Sequence, residues 1–256
     1  MALERRFGRA LAAHFLEEYR KVLKAASNGN YHHPSDEELA QVMRPYLFDA
    51  ANMGADAAEK PLLTMGLGFD TALTNEVAVA AAREYSYSLV RGINDTTRAA
   101  LQKHVSEYIA QPTQIDDLGK KLAATFGKKR AGVIATTETT LAYATAQEVT
   151  WKEVNRQYGA TIVSGMQWLT ANDEIVCPIC APLGGLVFDA STDEAVPQDE
   201  DTQERNASIK PLGGTFTHPG GAGMAARFAG GEYDRPPAHP NCRCSLQPYV
   251  EEIPNA

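Results

Sequence analysis

The four cysteines of this 256-residue chain fall in two tight pairs. Cys177 and Cys180 form a C-x-x-C, and Cys242 and Cys244 a C-x-C inside His239-Pro240-Asn241-Cys242-Arg243-Cys244. Each pair sets two thiolates close enough to grip one ion. The first does so through a tight turn helped by Pro178. The second does so when residues two apart on an extended backbone point to the same side. Roughly 60 residues separate the pairs, which therefore read as two halves of one tetrahedral site.

His239 makes a fifth candidate for four positions. The expected set is Cys177, Cys180, Cys242 and one of His239 or Cys244, with zinc as a structural cofactor. Two disulfides would require export to an oxidising compartment, and iron–sulfur clusters favour four thiolates at other spacings. A site of this kind holds a loop-rich segment shut and adds folding energy where the apolar core is thin.

Composition narrows the class. Apolar residues make up 44% of the chain and charged residues 22%, as in an ordinary soluble globular protein. A net charge of −8 argues against a protein whose main task is to clamp a phosphate backbone. The N-terminal stretch is charged and amphipathic, unlike a secretory signal, and no run reaches the ~18 apolar residues that span a bilayer. The expectation is a chain made in a reducing cytoplasm, with no membrane partner.

Apolar spacing near 3.6 makes the first ~160 residues helical. Leu11, Phe15, Tyr19 and Val22 form one stripe. Ser35 caps a second helix whose first turn is Asp36-Glu37-Glu38, with a kink or an earlier stop expected at Pro45. Val77, Ala81 and Leu89 share a face of a third helix, which Gly92 is expected to end. Asn94-Asp95-Thr96-Thr97 reads as the N-cap of a fourth helix through Leu101 and Val105. A short fifth helix carries Leu118 and Leu122, and a sixth, the longest, runs from about Lys129 to Tyr158.

Past Gly159 the pattern changes. Thr161-Ile162-Val163, Met166 to Leu169, Leu186 to Phe188 and Cys244 to Val250 read as short strands. The long loop 189–235 is first acidic, then glycine-rich, and ties at both ends to the cysteine pairs. The fold class is therefore α+β: a helical N-terminal region, then a small metal-stapled module with short β-strands and a long loop.

No catalytic set emerges. A zinc deaminase needs H-x-E before P-C-x-x-C, but here Val176 precedes Cys177 and no histidine is followed by x-Glu. H-E-x-x-H, the P-loop pattern and the G-x-S-x-G elbow are also absent. A thiolate-rich site is usually closed and structural. The chain is thus expected not to be an enzyme and to have no small-molecule substrate. Two rivals remain: a zinc hydrolase with an open position at His239, and a zinc-stapled nucleic-acid-binding module.

Glu138 lies on an apolar stripe of the long helix, between Ile134 and Leu141, and a carboxylate there needs a partner. Arg243, set between two candidate ligands, is the expected one, because a guanidinium grips a carboxylate with two parallel bonds. The alternative rotates the helix and places Glu138 at its solvent edge.

Taken in order, these motifs resemble the phage Mu F-like head-morphogenesis (minor capsid or minor head) family. They are Gly92-Ile93-Asn94-Asp95-Thr96-Thr97-Arg98, Arg130 to Thr139, Trp168-Leu169-Thr170-Ala171-Asn172-Asp173, Cys177-Pro178-Ile179-Cys180 and Pro236 to Cys244. The family's Ala-Arg-Thr-Glu stands here as Ala135-Thr136-Thr137-Glu138, without the arginine. The helical pattern makes residues 1–91 an arm able to dock on a partner, and the resemblance implies a Mu F-like domain over 92–250. It further implies a minor structural protein of the virion, made in the bacterial host cytoplasm. Its partners would be the portal protein and other phage head proteins, with a role in DNA packaging or ejection; direct contact with DNA is not indicated.

Overall fold

The computed structural model describes residues 2–111, 114–170, 180, 183–189, 195–196 and 235–250. Five helices precede a small sheet: α1 (Ala2–Ser27), α2 (Asp36–Thr64), α3 (Thr71–Ala110), α4 (Ile115–Leu122) and α5 (Lys128–Tyr158). The strands are β1 (Gly165–Leu169), β2 (Val187–Asp189), β3 (Ala195–Val196) and β4 (Ser245–Tyr249). They form one antiparallel sheet in the order β3-β2-β1-β4. The α+β expectation thus holds with helices dominating and the strands forming a minor appendage. Among the described residues no helix is long and apolar enough to cross a membrane.

The caps explain the helix starts. Ser35 accepts the Glu38 N–H at 3.3 Å, and the three acids of the first turn of α2 suit the positive helix end. Asp70 caps α3 by accepting from the N–H groups of Ala72 and Leu73. Gly159, at φ 62, ends α5 in the left-handed conformation. Where α2 crosses α5, a Cβ on Gly54 would lie 2.3 Å from the Tyr143 carbonyl oxygen, so glycine sets how closely the helices approach.

Several expectations are corrected. α2 runs through both Pro45 and Pro61 to Thr64 and does not stop at the first proline. The loss of one i→i−4 bond is tolerated because Met43 and Leu47, on either side of Pro45, are fully buried. Neither Gly92 nor Asn94-Asp95-Thr96-Thr97 breaks the chain. α3 is a single 40-residue helix and, at that length, exceeds the 31-residue α5. The boundary expected between residues 91 and 92 falls inside it.

The polar run of α3 is satisfied sideways instead of capping a helix. Thr96 and Thr97 donate to the Ile93 carbonyl at 2.8 and 2.9 Å, and Asn94 donates to Asp36 at 2.7 Å. Arg130 of α5 then reaches in with its guanidinium. It bonds the Ile93 and Thr125 carbonyls and the hydroxyls of Thr96 and Thr97 at 2.8–3.2 Å, while lying 5.1 Å from the centre of the Phe15 ring. Burial holds Arg130 below the ordinary guanidinium range, at about 10. One side chain thereby joins α1, α3, α5 and the turn after α4.

Thr161-Ile162-Val163 is not a strand. The Asn155 side chain accepts the N–H groups of Ile162 and Val163 at 2.9 and 2.8 Å and donates to the Val163 carbonyl at 2.8 Å, filling the role a neighbouring strand would have. α5 spans two cores. Its first half, with Ile134 and Ala135, packs among α1, α2, α3 and α4. Its second half, with Ala144, Trp151 and Val154, packs on the sheet and the cysteines.

Candidate metal centre

The last described segment is built along α5. Arg235 pairs with the buried Glu148, and the Asn241 N–H donates to Thr137 Oγ1 at 2.9 Å. Thr140 Oγ1 then donates to the Cys242 carbonyl at 2.8 Å. Gln147 donates to the Leu246 carbonyl at 2.8 Å and accepts the Leu246 N–H at 3.2 Å. Read in order, the chain passes Glu148, reaches Thr137, then returns past Thr140 to Gln147. It is a hairpin laid against one helix face, since residues 137, 140, 144, 147, 148 and 151 recur at helical spacing.

Asn241 forms the tip at φ 65, a left-handed conformation that asparagine tolerates better than most residues. The Cys242 N–H closes the turn on the His239 carbonyl at 3.1 Å. The turn brings Cys180, His239 and Cys242 together, with all three candidate ligand atoms within 4.8 Å of one another. Cys180 Sγ is 3.6 Å from Cys242 Sγ and 3.1 Å from His239 Nε2. His239 Nδ1 lies 2.7 Å from the Pro240 carbonyl oxygen, which can only accept. Nδ1 therefore carries the proton, and Nε2 turns its lone pair toward the sulfurs.

This donor set fits zinc. Two sulfurs at ~2.3 Å from a tetrahedral ion stand ~3.8 Å apart, close to the separation of Cys180 and Cys242. Thiolate and imidazole are also the donors that zinc takes in closed structural sites. Of the three described thiols Cys242 alone is pulled down toward thiolate, by hydrogen bonds first from Cys180 and then from Cys244. Cys180 moves up in exchange, because its hydrogen bond to Cys242 holds its proton in place. A buried cluster in which one thiolate is solvated by neighbouring thiols is what a divalent cation would neutralise.

Of the five expected ligands, Cys180, His239 and Cys242 converge. Cys244 is buried and interacts with both other thiols and with the Trp168 indole. Cys177 lies outside the described residues. Cys180, Cys242 and Cys244 are free thiols, none in a disulfide. Trp168 is fully buried beside them, its ring 6.0 Å from that of Phe188. Glu138 is fully buried on α5, which removes the solvent-edge alternative, and Arg243 is exposed between its two buried cysteine neighbours.

Sequence reasoning missed the residues that dock the hairpin: Thr137, Thr140, Gln147, Glu148 and Arg235. A signal was available. Four threonines crowd positions 136–140 in the middle of a helix, where β-branched hydroxyl side chains are poor formers unless their oxygens are used.

One comparison with known proteins spans the site. The family model described as "Phage Mu protein F like protein" matches residues 99–247, more than half the chain. That span takes in the distal part of α3, all of α5 and the thiol–imidazole cluster. No curated protein and no solved structure matches. This chain belongs to the Phage Mu F-like family.

Proposed function

We propose that the protein is a minor head protein acting in phage head morphogenesis, present in the virion and associated with the portal, and that it is not an enzyme. Within that role zinc is a folding staple, held by Cys180, His239, Cys242 and either Cys177 or Cys244. The observation that carries the reading is the hairpin of residues 235–246. Its tip gathers soft ligands, and both of its arms are bonded to a helix within the family-matched region. The cluster sits in a packed core with Trp151, Trp168 and Leu183, as a closed structural site requires.

The test is genetic and biochemical together. In the phage or prophage that carries the gene, the chain should co-purify with heads and portal, and its deletion should lower the yield of DNA-filled particles. Full yield of infectious particles without the chain would end this reading.

Glu138 and Arg243 form part of the proposal as the ion pair that orients α5 on the metal-bound turn. Stability losses for Glu138→Ala and Arg243→Ala should then be non-additive by about 1 kcal/mol or more in a double-mutant cycle. Additive losses would remove the pair and leave the staple intact.

A further inference from the structure

Cations gather at one end of the molecule, where helix electrostatics disfavour them. Arg5 and Arg9 stand in the first turns of α1, and Lys128 is the first residue of α5. The positive ends of the two helices therefore add to the charge at Arg5 and Lys128. All three border one open groove of about 670 Å³, and among the described residues none of them has an ion pair. The groove's one acid, Glu4, is buried at 9% exposure. This positive rim belongs to a chain whose net charge is −8.

The floor between these cations is apolar and shallow. α1 meets α5 beside Gly8, where a Cβ would sit 3.6 Å from the Gly132 Cα, an ordinary contact distance. Ala12, Ala13 and Leu16 continue the floor along α1, and Leu16 is left 47% exposed. Ala13 and Leu16 lie on a different flank of α1 from the core-facing stripe of Phe7, Leu11 and Phe15, and the half-buried Ala12 borders both. α1 thus has one apolar face spent on the core and a second, small-residue flank open to a partner.

We infer that this groove docks an acidic amphipathic helix of another protein. Its apolar stripe would cover Ala12, Ala13 and Leu16, and its flanking carboxylates would meet Arg5, Arg9 and Lys128. A nucleic-acid backbone would satisfy the cations but has no apolar stripe to lay over Leu16. The inference rests on α1 and α5 alone and does not depend on the head-assembly reading or on zinc.

The probe is a labelled synthetic helix of about 18 residues with leucines at i, i+3, i+4 and i+7, flanked by glutamates. Fluorescence anisotropy against the full chain should show it binding at least about tenfold tighter than the same peptide with glutamine for glutamate. Arg5→Glu/Arg9→Glu and, separately, Ala13→Trp should each weaken binding about tenfold or more, while Arg20→Glu leaves it unchanged. Melting curves of each variant, and amide shifts of the wild-type chain confined to α1 and the start of α5, keep a folding defect from passing as lost binding.

Equal binding of the glutamate and glutamine peptides would overturn the proposal, as would absence of binding or indifference to Ala13→Trp. Duplex DNA that binds through Arg5 and Arg9 and displaces the peptide, yet ignores Ala13→Trp, would reassign the patch to phosphate. Micromolar self-association abolished by Ala13→Trp would make the occupant a second copy.

Discussion

Two buried glutamates show how environment decides the fate of a charge in this fold. Glu18 receives Lys21 and His32, each at 2.8 Å, and their hydrogen bonds outweigh burial and pull its carboxyl below the ordinary range. Glu59 has the Thr74 hydroxyl, but burial, with Asp56 nearby, pushes it above its ordinary value of 4.5. A raised carboxylate favours the fold most below its unfolded value, and that contribution fades as pH rises through the folded value. Glu59→Gln should therefore be more stable than wild type at pH 7, with the gain vanishing toward pH 4. Denaturant midpoints across pH check this, and a difference that does not vary with pH would contradict it.

At the scale of elements, α5 serves as the surface on which the rest is assembled. β4 is an edge strand, and an open edge invites pairing with another chain. Here the Gln147 amide matches both the N–H and the carbonyl of Leu246 and so blocks that edge with a side chain. Gln147→Leu keeps the bulk but leaves two buried backbone groups unsatisfied, so it should cost about 2–4 kcal/mol. Hydrogen exchange should speed up first at Leu246. A loss below about 0.5 kcal/mol would mean that water replaces the amide without cost.

Legibility followed the range of the interaction. Caps and apolar periodicity are local, so the starts of α2 and α5 and the strands β1, β2 and β4 could be read from neighbouring residues. The convergence of Cys180 on His239 and Cys242 was also legible, because paired soft ligands have few other uses. Asn94-Asp95-Thr96-Thr97 misled because Asn94, Thr96 and Thr97 are engaged by Asp36 and Arg130, 58 and 33–34 residues away. No local rule separates a capping threonine from one held by an arginine on another helix. Asn155 misled in the same way, standing in for a strand beside residues 162–163.

As a whole, the molecule is a helical bundle continued by a hairpin and small sheet through one shared helix. Its two larger cores meet along α5: Arg130 fixes the first, and the thiol–imidazole cluster gathers the last segment of the second. The described strands are two to five residues long, and the sheet and hairpin share their buried residues with α5. The cluster is therefore where the stability of the second core should concentrate.

The most direct measurement is zinc content paired with thermal melting of the purified full chain. About one zinc per chain is expected, and a chelator should lower Tm by about 10 °C or more, with stoichiometric zinc restoring it. Cys242→Ser should reproduce the stripped state. A metal-free chain that melts where the loaded one does, matched by an unperturbed Cys242→Ser, would contradict the account.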